Sequence, residues 1–195
     1  MLIAVLGLVL VAAWRDGTGF DALRRYFAYG TEAVGGEKTV YRYDTDNTNR
    51  FARVGTGSLV ILSDTSLRLL GPDGSEVWSA NVKMNAPALG QGGGLAVAYD
   101  IGGTTLCVAD FKGNKTDITP SGEIISADLS ESGYLAVCTE AAGYKGAVTV
   151  YDASGKAVYV WYSGTGYLVR AAVSPDGKHL AALCLQDSGS VVHTF

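Results

Sequence analysis

The sequence predicts an all-β fold: a β-propeller sector of about four four-stranded antiparallel blades, the last one incomplete, preceded by an N-terminal apolar helix. Three observations carry this. Four segments (57–62, 93–98, 133–138 and 177–182) share a glycine turn, then Leu, then small apolar residues. Their leucines, Leu59, Leu95, Leu135 and Leu180, lie 36, 40 and 45 residues apart, the length of a four-stranded propeller blade. Glycine makes up 26 of 195 residues, nearly twice the usual share of about 7%. An ordered chain with that many glycines has many tight turns.

Composition narrows the class further. The chain is 48% hydrophobic and 17% charged, which excludes a disordered, highly charged protein. Fifteen Lys and Arg against nineteen Asp and Glu give a net charge of −4. A nucleic-acid partner is therefore not expected, because phosphate binding calls for a basic excess.

The first element is residues 1–15. No charged or polar side chain occurs in the first thirteen residues. As a helix they would span about 20 Å at 1.5 Å per residue, against a hydrocarbon core of about 30 Å. Three readings compete. A signal peptide has an apolar stretch of this length, with Val11-Ala12-Ala13 as a cleavage site, but the preceding basic region is missing. A helix apolar on every face could instead be buried in a core. The third reading is a membrane-anchor helix whose start is truncated, and Trp14 and Arg15 favour it as residue types found where a helix leaves the bilayer. Residues 16–38 come next as a short amphipathic helix and linker. Thr18 to Asp21 has the form of a helix start, and Phe20, Leu23 and Phe27 fall near one face, suited to a membrane surface or to packing on the next domain. Arg15, Arg24 and Arg25 would by themselves put the rest of the chain in the cytoplasm; a basic stretch ahead of Met1 would void that count.

Residues 39–195 form the partial propeller. After each glycine-leucine strand a second apolar strand runs into a polar turn with glycine: 67–74, 106–113 and 148–155. A strand with a central aromatic comes after it, at Glu76-Val77-Trp78 and at 157–161, with Trp78 and Trp161 in matching positions. Another candidate strand precedes each glycine-leucine turn, clearest at 168–173. Runs such as LAVAY (95–99) and LAALCL (180–185) are apolar at successive positions, so both faces of these strands are expected to be buried. Ser174-Pro175-Asp176-Gly177 has Pro where φ is fixed and Gly where φ is positive. Past residue 30 no helical stretch separates the strands, which excludes a parallel βαβ fold. The last copy stops after its third strand at Phe195. The expectation is a sector truncated at both ends, with one blade face and its strand edges open to association.

The segment 174–181 (SPDGKHLA) resembles the hairpin of WD40-like propeller repeats, including those of the TolB type. Gly74-Ser75-Glu76-Val77-Trp78 is similar to the glycine-to-tryptophan step of quinoprotein-type blades. The whole layout of apolar helix, Trp14-Arg15-Asp16-Gly17, segment 20–25, Asn49-Arg50-Phe51-Ala52 and blades resembles an uncharacterised bacterial membrane-anchored propeller family, catalogued as a domain of unknown function (5711). That resemblance implies an N-terminus inside and a propeller outside the cytoplasmic membrane. It implies no activity.

The residues suggest little chemistry of their own. Asp44 to Asn49 begins like a calcium loop, but Asn49 stands where Gly is needed and Gly55 where a bidentate Glu is needed. His179 and His193 lack metal-ligand spacing and read as ordinary strand residues. Cys107, Cys138 and Cys184 sit in apolar runs and read as packed thiols. The run 90–94 (GQGGG) lacks the Lys-Ser/Thr and the helix of a phosphate loop, and reads as a hairpin turn. Asn114-Lys115-Thr116 matches a glycosylation acceptor in form only. No nucleophile elbow or Cys–His pair stands out. The sequence therefore gives no catalytic, cofactor-binding or metal residue and calls for no cofactor. It predicts a non-catalytic binding or scaffolding module, held to the membrane by its N-terminal helix and facing a protein or glycan partner. The alternatives are a quinoprotein- or lactonase-like propeller enzyme with a polar site at the ring centre, and a structural subunit of an envelope assembly.

Overall fold

The computed structural model describes residues 49–195. The expected anchor (1–15), the amphipathic helix and linker (16–38) and the start of the calcium-like run lie outside the described residues. Among the described residues no helix is long and apolar enough to cross a membrane.

These residues form fifteen strands in four antiparallel sheets. The first sheet holds β1 (Arg50–Val54), β2 (Ser58–Leu62), β3 (Ser66–Leu70) and β4 (Glu76–Asn81). The second holds β5 (Pro87–Gly92), β6 (Leu95–Asp100), β7 (Leu106–Asp110) and β8 (Lys115–Asp117). The third holds β9 (Ile124–Leu129), β10 (Leu135–Thr139), β11 (Ala147–Tyr151) and β12 (Ala157–Tyr162). The fourth holds β13 (Tyr167–Val173), β14 (Leu180–Gln186) and β15 (Gly189–Thr194). Each sheet is a meander, its strands in chain order. The expected repeat is thus present, and every shared leucine lies in the second strand of its sheet.

The turns explain why each sheet folds locally. In the third sheet the Asp152 and Lys156 backbones close the β11–β12 hairpin, and Gly155 takes a φ of +80° that other residues resist. Asp110 to Asn114 closes the β7–β8 hairpin in the same way. Between β13 and β14, Gly177 at φ +73° donates to the Ser174 carbonyl, as the SPDG pattern predicts.

The sheets pack in succession through their inner strands, β1 on β5, β5 on β9 and β9 on β13. A hydrophobic cluster fills each junction. Leu62, Leu67 and Leu69 meet Ala96, Ala98 and Cys107 between the first and second sheets. Val97 and Leu106 meet Ile124, Leu135 and Val137 between the second and third. Ala136, Cys138 and Val148 meet Leu168, Ala182 and Cys184 between the third and fourth. The alternation along β6 and β10 sends one set of side chains to the sheet before and the other to the sheet after, so runs apolar at every position are needed.

Three expectations are corrected. The run 180–185 is not buried on both faces: Leu180, Ala182 and Cys184 are buried, whereas Ala181 and Leu185 are exposed, because among the described residues no sheet covers that side. Trp78 and Trp161 do not match. Trp78 pairs with Leu69 and Tyr159 pairs with Val150, so Trp78 corresponds to Tyr159, and Trp161 lies two residues further along the same face. The run 90–94 is mostly strand. Only Gly93 and Gly94 make the turn, at φ +57° and +76°, while Gly90 to Gly92 belong to β5. Glycine is needed at Gly92 because a Cβ there would lie 2.0 Å from the Leu129 carbonyl oxygen of the neighbouring sheet.

Candidate functional site

A wide concavity lies where the third sheet meets the fourth. It is a cleft of about 990 Å³, at the upper end of the roughly 300–1,000 Å³ usual for ligand pockets. Three tyrosines enter it from three segments: Tyr144 from the β10–β11 loop, Tyr162 from the end of β12, and Tyr167 from the start of β13. The Tyr144 and Tyr162 rings lie 4.7 Å apart at a tilt of 36°. Lys145 Nζ donates to Tyr167 Oη at 3.0 Å and sits 4.4 Å from the centre of that ring. The hydrogen bond to Tyr167 is the main cause raising the Lys145 pKa above its ordinary value. Glu123 and Glu140 stand on the rim.

The frame under these side chains is backbone. Lys145 N–H donates to the Ser163 carbonyl at 2.7 Å and Ser163 N–H to the Gly146 carbonyl at 2.9 Å, while Leu168 N–H donates to the Lys145 carbonyl at 3.0 Å. Glu140 N–H donates to the Glu123 carbonyl at 2.9 Å. The loop is therefore laced to both neighbouring segments, which orders the backbone that carries the tyrosines before any ligand arrives.

A second, smaller groove of about 270 Å³ runs along the inner strands, lined by Gln91, Tyr99, Ser126, Asp128 and Arg170. Arg170 donates to Asp128 Oδ1 at 2.6 Å, an interaction that raises the arginine pKa further. Ser126 Oγ donates to the Val169 carbonyl at 3.0 Å.

The residues weighed in the sequence fall elsewhere. Cys107, Cys138 and Cys184 are free and buried as expected, and burial pushes the Cys107 and Cys138 thiols up to about 11. His193 lies in β15 with its ring 5.1 Å from that of Trp161. His179 is not a strand residue: it is exposed in the β13–β14 turn, its N–H donating to Ser174 Oγ at 3.0 Å. The Asn114 side-chain amide donates to Asp110 Oδ2 at 2.7 Å, so it serves the turn. Among the described residues no group of three or more His, Cys, Asp or Glu is placed to hold a metal ion. Sequence reasoning missed the tyrosine cleft. Gly-Tyr recurs at Gly133-Tyr134, Gly143-Tyr144 and Gly166-Tyr167, and the first of these lies outside the cleft, so the pattern does not single the cleft out.

With the repeat and its packing established, family membership is decided by a match over residues 31–194 to the family of unknown function DUF5711. The chain belongs to that family. No protein of curated function matches it. Among solved structures it is similar to hydrazine synthase of Kuenenia stuttgartiensis, with 17% identity and a TM-score of 0.57, over 82% of this chain and 49% of that one. It is also similar to Hsv2 of Kluyveromyces lactis, with 16% identity and a TM-score of 0.56, over 82% and 52% of the two chains. The chain thus spans about half the length of either structure. At such identities the likeness concerns the fold, which is propeller-like, and nothing of the chemistry.

Proposed function

We propose that this chain is the propeller part of a membrane-anchored, non-catalytic binding module that presents its cleft outside the cytoplasmic membrane to a protein or glycan. The observation that carries the reading is the set of three exposed tyrosines that a backbone-braced loop and the adjoining ends of β12 and β13 bring to one cleft. Tyrosine gives a large, rigid contact surface with a polar tip at small entropic cost, which is what recognition surfaces use. The apolar segment 1–15 supplies the anchor.

The test is photo-crosslinking in cells carrying the full-length protein, with the crosslinker at position 162 and, as a control, at position 158 on the outer strand β12. A stoichiometric adduct from 162 and none from 158 is expected. Adducts equal at both positions, or substrate turnover by the purified protein in a hydrolase or dehydrogenase panel, would overturn the reading. A second reading, a propeller enzyme, is favoured by the inner groove, where Asp128, Arg170 and Ser126 converge. It requires that Asp128→Asn abolish such turnover while Tyr162→Ala leaves it intact.

A further inference from the structure

We infer that the tyrosine cleft is a carbohydrate-binding site whose ligand is a short neutral oligosaccharide. The inference rests on the binding-module reading and names its ligand.

Exposure is the first ground. Tyr144, Tyr162 and Tyr167 keep 53%, 50% and 61% of their surface in water, although aromatic side chains gain most from burial. The loop that carries Tyr144 is pinned on both sides by backbone hydrogen bonds, so this exposure is built in. The Tyr144 and Tyr162 rings lean on each other at a tilt of 36°, and about half of each side chain stays open to a ligand.

The shape is the second ground. Gly122 and Gly146 line the cleft, and neither tolerates a side chain. A Cβ at Gly122 would lie 2.3 Å from the Glu140 carbonyl oxygen, and one at Gly146 would lie 2.7 Å from Leu168 Cβ. These close approaches hold the segments under the cleft together, and its volume of about 990 Å³ stays within the range of small-ligand pockets, whereas a standard protein interface is broad, with about 800 Å² on each partner.

Charge and polarity select the ligand. Glu123 and Glu140 outnumber Lys145 on the cleft wall, so a phosphate or carboxylate ligand would meet repulsion. A wholly apolar ligand would desolvate these three charged groups without giving them partners. A neutral pyranose satisfies both demands. Its C–H face lies on a tyrosine ring, and its equatorial hydroxyls donate to the carboxylates and accept from the lysine.

Calorimetric titration of the full chain with cellohexaose, chitohexaose, mannohexaose and maltohexaose tests this. At least one is expected to bind saturably. Tyr144→Ala and Tyr162→Ala should each weaken that binding by about tenfold or more. Tyr159→Ala, on β12 but outside the cleft, should leave it unchanged, and unchanged unfolding temperatures for all three variants show that the fold is kept. If none of the four sugars binds, or if Tyr159→Ala costs as much as Tyr162→Ala, the inference is overturned. A protein adduct from position 162 with no sugar binding would remove the ligand class and keep the module. Loss of both removes both.

Discussion

Gly92 shows how a single position serves the contact between sheets. It lies at the end of β5, and a methyl group there would meet the Leu129 carbonyl oxygen of β9 at 2.0 Å, a backbone atom that no rotamer change can move aside. Gly92→Ala is expected to destabilise the chain by about 2–3 kcal/mol in denaturant unfolding, the upper part of the overpacking range. Gly164→Ala, at a position with no atom within 4 Å of the added carbon, should be neutral or stabilising by about 0.5 kcal/mol. Asp152 acts through hydrogen bonds. Its Oδ1 accepts from Ser154 Oγ at 2.6 Å, Ser154 N–H at 2.9 Å and Lys156 N–H at 3.0 Å. The Ser154 hydroxyl is the main cause holding its pKa below the ordinary 3.8. A carboxylate whose pKa is lowered by folding stabilises the protein above the unfolded-state value and loses that contribution as pH falls through the folded one. The unfolding temperature of the native chain should therefore exceed that of Asp152→Asn above about pH 4, and the gap should close toward pH 2. A gap that stays constant across this range would show that the charge of Asp152 contributes nothing.

At the scale of the strand, stability is set by which face meets a neighbouring sheet. Leu135 on β10 is 1% exposed and packs with Val97 and Ile124 between the second and third sheets. Its truncation to Ala should cost about 2–5 kcal/mol. Val158 on β12 is 51% exposed, and Val158→Ala should stay within about 0.5 kcal/mol. Equal losses would mean that the outer strands carry as much of the stability as the junctions do. This division between strands was legible in the sequence to an uneven degree. The glycine turns and the leucines after them stand out because a turn needs a positive φ and a central strand needs two apolar faces. The three-residue strand β8 does not stand out, all of its residues being polar. The correspondence of Trp78 with Tyr159 is legible by counting four residues on from Gly74 and Gly155, and matching the tryptophans by identity misses it because Trp161 lies two residues further along. The cleft was harder still. Tyr144, Tyr162 and Tyr167 belong to three segments, and the pairing of Tyr162 with Ala147 together with the hydrogen bonds of Lys145 and Ser163 across the end of the sheet brings them together. Nothing in the spacing of the tyrosines encodes that contact.

On the scale of the whole sector, each of the first three sheets sends side chains forward to the next, and the fourth repeats the pattern without a described sheet to receive them. Its covered face carries Leu180, Ala182 and Cys184, packed on the third sheet. The other face carries Ala181 and Leu183 with Leu185 and Val192, the last two 48% and 61% exposed. Cross-strand pairing places Val192 directly against Leu183, so these side chains form a continuous apolar strip flanked by β15 at the sheet edge. Water contact with such a strip is unfavourable by about 25 cal/mol for each Å², and an unpaired edge strand offers main-chain hydrogen bonds to any strand that approaches. Association through this face is therefore expected of a polypeptide limited to the described residues 49–195, and sedimentation velocity over a range of concentrations should show it. Leu185→Lys with Val192→Lys places charges on the strip while leaving the buried face of β14 intact, and should return the protein to a monomer with its unfolding temperature preserved. Association that survives the double substitution would place the contact elsewhere. Tyr162→Ala, at the cleft, should have no effect on it, since the strip and the cleft draw on different side chains.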